Sequence, residues 1–257
     1  MDIHPTAVVH PQAQIAAGVK IGAYSLVGEN VRIGSGTVIE PHAVIEGPSE
    51  IGERCHIFPF ASIGAAPQHL RYRGEPTRLI IGDENVFREF VTVNRGTVEG
   101  GGQTVLGKGN FVMAYSHIAH DCRVGNRVVL ANGSILAGHI EVEDFALIGG
   151  LVAIHQFVRV GCYAIVGGAS AVPQDVPPYM CASGNRAHLY GLNSIGLKRH
   201  NFPATTIIAL KQAYRIIFRS QLTLTKAIER VQAEVPDLPE IRHLLEFLKN
   251  SKRGICR

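Results

Sequence analysis

The chain has 257 residues, 46% of them hydrophobic and 18% charged, a balance that excludes a disordered polymer and leaves room for one or two domains. It has no run of about 18 apolar residues, which excludes a helical membrane span. The N-terminal MDIHPTAVVHP lacks the charged and apolar regions of a secretory leader, so a cytoplasmic chain is expected.

The net charge of +4 is unevenly spread. From Arg186 onward 13 Lys/Arg stand against 5 Asp/Glu, whereas residues 1–185 carry 12 against 16. A basic tail on an acidic body suits an anionic partner, a phosphate-bearing substrate or an acidic protein; a solvated helical surface would have the same composition. Five cysteines, Cys55, Cys122, Cys162, Cys181 and Cys256, are scattered without CxxC spacing and read as reduced thiols.

From Ile3 the sequence repeats every six residues: Ile3, Val9, Ile15, Ile21, Val27, Ile33, Ile39, Ile45, Ile51, Ile57 and Ile63. The period resumes at Ile81, Phe87 and Val93, slips by one, and runs from Leu106 through Ile118, Leu136 and Ile154 to Val172. Glycine often follows the lead residue, as in IGAYSL and VGNRVV, and the fifth position is usually small or β-branched. A six-residue period fits neither a helix nor a simple alternating strand. It predicts short strands joined by tight corners, with glycine supplying the permissive backbone and the lead and fifth side chains facing inward. Three such strands close a triangular coil of 18 residues, which sets residue i under residue i+18 at about 4.8 Å. The stacked aliphatics form a column that no single coil could bury alone.

Two stretches break the period. Residues 66–79 (APQHLRYRGEPTRL) carry Arg71, Arg73 and Arg78, and residues 98–104 (VEGGGQT) form a glycine-rich bulge. Aperiodic loops in a compact domain tend to serve function; packing on a neighbouring subunit is the alternative, and a site between subunits would satisfy both. The repeat stops near Pro177–Pro178. Beyond it, Pro203–Arg219, Thr223–Val235 and Pro239–Lys249 place aliphatics at helical spacing, with proline at or near the start of the first and third. The expected organisation is a β-solenoid over residues 1–185 and a small helical domain over 186–257.

The 18-residue pitch turns spacing into geometry. The hexads IAHDCR, LAGHIE and IHQFVR, starting at Ile118, Leu136 and Ile154, are expected on one face of three successive coils. His139 then stacks on Asp121, Gly138 on His120, and Gln156 one coil beyond. His155 sits beside Gln156, and His117 is expected at the corner just before this face. Gly138 leaves room above His120, and its N–H could meet a developing oxyanion. Cys122, at an inward fifth position, reads as core filler. A His–Asp pair without an activated serine or cysteine points to general-base catalysis with direct attack.

The repeat resembles that of the hexapeptide-repeat acyltransferases, whose fold is a left-handed parallel β-helix; the usual rule for parallel crossovers would give the other hand. AHDC, AGH, HQF, GEPTR at Gly74–Arg78, RGTVEGGG, QDVPPY, GLK-R near Arg199 and the terminal RGICR resemble the UDP-N-acetylglucosamine acyltransferases that begin lipid A synthesis. That resemblance implies a mainly β fold followed by a small α-helical domain. It makes His120 the general base, Asp121 its assistant and the Gly138 N–H an oxyanion donor. Gln68, Arg71, His117, His139, His155 and Gln156 match substrate-contacting positions, and Asn193 and Arg199 match nucleotide or phosphate contacts. Gly168 matches the position that limits acyl length. The implied reaction moves a 3-hydroxyacyl chain from acyl carrier protein to the 3-position, oxygen or amino nitrogen, of a UDP-sugar. It requires no metal and no bound cofactor, since phosphopantetheine arrives on the donor. A homotrimer is implied, with neither nucleic acid nor membrane as partner. Ile195, His200 and His69 depart from the usual acidic, arginine and acidic residues.

The rival on the same scaffold is a zinc hydrolyase resembling γ-class carbonic anhydrase, for which the patch has enough imidazoles. His117 and His120 stand three apart with no HxxxxH, which disfavours it. A non-catalytic binding solenoid would have little use for the His/Asp/Gln cluster.

Overall fold

A computed structural model describes residues 2–257. Strands of two to four residues run from Asp2–Ile3 to Ala171–Val172 and, with the later strands Met180–Ser183 and His188–Leu192 added to the first, build three sheets of 11, 9 and 8 strands. Up to Val172 each strand pairs in parallel with the strand three places on, so the chain winds as a three-sided parallel β-helix. The register confirms the pitch read from the sequence. Ile21 pairs with Ile39, Ile39 with Ile57, Ile118 with Leu136, and Leu136 with Ile154. The two aperiodic stretches are insertions that leave the ladder intact: Ile57 pairs with Phe87, and Phe87 with Val112.

The lead and fifth residues fill the axis. Ile57, Ile118, Leu136 and Cys122 are fully buried. At the first coil the lead residue Ile3 stays exposed. Truncating a mid-column residue such as Ile118 to alanine would cost about 2–5 kcal/mol, because the coils above and below cannot collapse into the gap.

Glycine takes the left-handed corner at Gly18, Gly36, Gly109 and Gly133, as expected, and does a second job elsewhere. The left-handed φ falls on the fourth residue of the hexad, which is usually not glycine: Tyr24, His42, Phe60, Phe90 and Tyr115 have φ of 58°, 63°, 63°, 58° and 64°. These five rings stack coil on coil, with centroids 4.9–5.2 Å apart. That contact offsets the roughly 1–2 kcal/mol a left-handed residue costs. The glycine after the lead instead permits close stacking of turns. A Cβ on Gly34 would lie 2.5 Å from the Gly52 carbonyl carbon, and one on Gly52 would lie 2.4 Å from that of Gly82.

The last coil is sealed by the antiparallel pairing of Met180–Ser183 with His188–Leu192, a hairpin the periodicity did not announce. Helix α1 spans Ser194–Arg199, α2 Ala204–Arg219, α3 Leu224–Glu234 and α4 Pro239–Lys249. The last three match the segments expected from spacing, and the short α1 was not foreseen. Leu210, Ala213, Val231 and Leu244 are fully buried among them. The chain end returns to the β-helix, where Cys256 N–H donates to the Asp175 carbonyl and Ser251 Oγ to the buried Asp175 carboxylate. None of the helices among the described residues is long and apolar enough to cross a membrane.

Candidate active site

The strand His117–Ile118 ends in a tight turn at His120–Asp121, and the next two coils repeat that turn at Gly138–His139 and Gln156–Phe157. The chemical groups therefore lie on a corner of the prism. The expected positions of His117 and its neighbours are exchanged: His117 sits in the strand, and the His–Asp pair makes the corner. The reason is that strands occupy the sixth and first hexad positions, leaving the third and fourth to bend. Asp121, His139 and Phe157 have φ of 62°, 61° and 66°, which swings their side chains outward in register.

His120 Nδ1 lies 2.7 Å from Asp121 Oδ2, in a bond that fixes the proton on Nδ1 and leaves Nε2 as the acceptor. Asp121 is held from below by the glycine-rich bulge. Its Oδ1 accepts the Thr97 N–H at 2.7 Å, its Oδ2 accepts the Thr97 hydroxyl at 2.7 Å, and its own N–H donates to Thr104 Oγ1 at 2.8 Å. Gly100 closes over the carboxylate, where a Cβ would fall 2.0 Å from Asp121 Cγ. Burial works against the Asp121 charge. The hydrogen bonds from His120 and from the Thr97 hydroxyl and amide outweigh it, so its pKa lies below the ordinary 3.8.

His139 Nε2 is 3.7 Å from Asp121 Oδ2, and its ring meets His120 edge-on while stacking on Phe157. Desolvation, partly opposed by attraction to Asp121, pushes the His139 pKa down. Gly138 is needed as glycine: a Cβ there would stand 2.6 Å from His120 Cε1 and 2.9 Å from Nε2. The turn hydrogen bonds run from His139 N–H to the His120 carbonyl and from Phe157 N–H to the Gly138 carbonyl, leaving the Gly138 N–H out of the ladder.

The other expected residues divide. His117 adjoins the cluster, with its Nδ1 2.7 Å from Thr92 Oγ1. Burial, and secondarily repulsion from His120, lowers its pKa. His155 and Gln156 are exposed one coil further on, and His155 Nδ1 takes a bond from Arg253 Nη2 at 3.1 Å. Gln68 and Arg71 are exposed on the first insertion, where Arg71 pairs with Glu99 of the bulge at 2.6 Å. Arg199 is exposed on α1. Asn193 caps α1: its Oδ1 accepts the Gly196 N–H, and its Nδ2 donates to the Tyr163 carbonyl. Gly168 is exposed on a corner, where a Cβ would meet the Gly150 carbonyl oxygen at 3.2 Å.

Sequence reasoning missed Thr97, Thr104 and Phe157, and it marked His69 only as a departure. His69 meets His120 edge-on at 5.2 Å between centroids, carried there by the first insertion. His200 lies edge-on to the stacked rings of Phe145 and Tyr163, and Ile195 is exposed.

His120, Asp121 and His139 each offer a ligand atom within 4.8 Å of the others, a spacing a metal ion could use. Both Asp121 oxygens, however, are already taken by protein donors, which suits a charge-stabilising partner of His120 better than a metal ligand.

Lowered histidine pKa values make a prediction for stability. Below about pH 6.5 the unfolded chain takes up protons on His117 and His139 that the folded chain does not, so stability falls as pH drops from 7 towards 5. Melting temperatures across this range should decline, and His117→Gln should make the decline shallower. An unchanged slope would contradict the assignment.

Comparison with known proteins matches the chain along its whole length. Residues 175–256 match the family profile described as UDP N-acetylglucosamine O-acyltransferase, domain 2, and residues 30–65 and 103–138 match that of bacterial transferase hexapeptide (six repeats). An acyl-[acyl-carrier-protein]--UDP-N-acetylglucosamine O-acyltransferase of Thermodesulfovibrio yellowstonii is 57% identical over 256 residues, covering 100% of this chain and 99% of that one. The same-named protein of Syntrophobacter fumaroxidans is 52% identical, with 100% of each chain covered. The solved LpxA of Acinetobacter baumannii superposes with a TM-score of 0.96 at 42% identity, covering 99% of both chains.

Proposed function

The chain belongs to the UDP-N-acetylglucosamine O-acyltransferase family, and we propose that its own site performs that transfer with His120 as general base. The donor is an acyl chain, in our reading a 3-hydroxyacyl chain, carried as a thioester on acyl carrier protein. The acceptor is the glucosamine 3-hydroxyl of UDP-N-acetylglucosamine. The O-acyltransferase names of the relatives favour oxygen over an amino nitrogen as the accepting atom.

The observation that carries the mechanism is the 2.7 Å bond between His120 Nδ1 and the buried Asp121. It leaves Nε2 to take the proton of the sugar hydroxyl as that oxygen attacks the thioester carbonyl. Negative charge then gathers on the carbonyl oxygen, where the Gly138 N–H can meet it. Collapse expels the phosphopantetheine thiolate, and the imidazolium returns its proton to the sulfur. Asp121 supports the imidazolium throughout and does not itself need to be protonated. No cofactor beyond the donor's own arm enters these steps.

Arg71 and Arg199 are proposed to receive the nucleotide phosphates, Arg71 by exchanging its surface pair with Glu99. Such an exposed pair is worth little, about 1 kcal/mol or less, so exchange is inexpensive. The basic segment after Arg186 offers a complement to an acidic carrier protein. A homotrimer would bury the exposed ring column from Tyr24 to Tyr115, four of whose members are 43–64% exposed. The expected cytoplasmic location follows from this intracellular chemistry.

The test is mass spectrometry of products after incubation with mixed 3-hydroxyacyl carrier proteins and UDP-N-acetylglucosamine. A UDP-sugar O-acylated at the 3-position is expected; hydrolysis of the thioester alone would reject the reading. If Gly168 borders the acyl path, Gly168→Met should move the preferred chain to a shorter length with little loss of total turnover. An unaltered product profile would remove Gly168 from that path.

A further inference from the structure

A second convergent group lies where α4 meets the β-helix, and acyl transfer leaves it unused. Glu143 projects from one coil, Cys162 from the next, and His243 from α4. One carboxylate oxygen, one sulfur and one ring nitrogen from these residues lie within 4.8 Å of one another. His243 Nε2 donates to Glu143 Oε2 at 2.7 Å, and the Cys162 N–H donates to the same oxygen at 2.8 Å. Gly161, one coil on from Glu143, has no side chain to block that reach. All three residues are half-buried.

We propose that Glu143, Cys162 and His243 bind a zinc-class divalent cation that fastens α4 to the last coils of the β-helix. A histidine–glutamate pair needs no sulfur to pin a helix. A thiolate, an imidazole and a carboxylate together are the donor set of a borderline-soft ion, with a water in the fourth position. Tetrahedral zinc holds its ligands about 3.5 Å apart, so the 2.7 Å His243–Glu143 contact opens by less than about 1 Å as the ion takes the place of the Nε2 proton. The supporting groups are in place. The Cys162 N–H orients Oε2, and Arg159 Nη2 stands 3.6 Å from the other oxygen, Oε1, which favours one-oxygen ligation. Arg159 also lies over the Phe247 ring of α4 at 4.3 Å, so the site sits on an existing helix contact. The ring of Tyr179 walls one side at 6.2 Å from His243. The nearby Arg159 charge weakens the site relative to a four-ligand structural zinc centre.

The experiment is a Co²⁺ titration of the full-length, metal-stripped protein, read by absorption, followed by Zn²⁺ competition and melting curves. One equivalent should give tetrahedral visible bands and a thiolate-to-cobalt charge-transfer band that Zn²⁺ abolishes, and Zn²⁺ should raise the melting temperature. Cys162→Ala should remove the charge-transfer band and the thermal shift while acyl transfer continues. His243→Ala should weaken binding by more than about 100-fold, since even loss of a supporting group costs 10–100-fold. If Cys162→Ala fails to fold, the wild-type spectrum and His243→Ala decide. The proposal is overturned by the absence of a sulfur band in the wild type, by a band that survives Cys162→Ala, or by cobalt binding without sulfur that inhibits transfer, which would place the ion at His120–Asp121–His139.

Discussion

Replacing His120 by alanine should lower kcat/KM for acyl transfer by about 10²–10⁴-fold, or roughly 3–5 kcal/mol of transition-state stabilisation. The argument rests on position. The side chain is 11% exposed, is held by Asp121 on one side, and has its Nε2 beside Gly138, which has no side chain to intrude. Truncation removes the proton acceptor and leaves the oxyanion donor and the phosphate-binding groups untouched. Turnover should therefore collapse while the affinity for UDP-N-acetylglucosamine, measured by calorimetry, changes by less than about tenfold. A loss below tenfold in kcat/KM would reject the base assignment.

Asp121→Asn should cost nearly as much by a different route. The substitution keeps the shape but sets one amide NH₂ among three donors: His120 Nδ1, the Thr97 N–H and the Thr97 hydroxyl. To escape the clash, His120 takes the other tautomer, which puts the proton on Nε2 and disables the base. We expect a kcat loss of about 10²–10⁴-fold with KM nearly unchanged, because Asp121 is enclosed and does not touch substrate. Stability should also fall, by about 3 kcal/mol, as charge-assisted bonds are lost in a buried setting. Thr97→Val removes one donor and keeps the charge, so its effect on kcat should be clearly smaller. Wild-type turnover in Asp121→Asn would contradict the proposed role.

Much of this molecule is legible as arithmetic. A strict six-residue period fixes which residues stack, and counting by eighteen brought Gly138 over His120 and His139 over Asp121 as the ladder has them. Counting fails where the period does. Thr97 and Thr104 grip Asp121 from an insertion whose path no repeat dictates, although Thr97 lay in plain view within RGTVEGGG. The same holds for His69, which reaches His120 on a loop without period, and for Arg253, which returns to His155 from 98 residues further along the chain. The corner departs from the spacing-based expectation for a physical reason. Glycine takes the left-handed turn at some coils, such as Gly36 and Gly133, but at most coils it falls to other residues, among them the stacked rings from Tyr24 to Tyr115. Asn193, which the family resemblance matches to nucleotide or phosphate contacts, also caps a helix too short for the periodicity to reveal.

The most direct test of the central claim is the pH dependence of kcat/KM in wild type and in His120→Ala, using the variant's residual activity. The account predicts an acid limb of unit slope in the wild type, as protonation removes the base, and a flat profile in the variant over the same range. An acid limb that persists unchanged in the variant would show that another group accepts the proton.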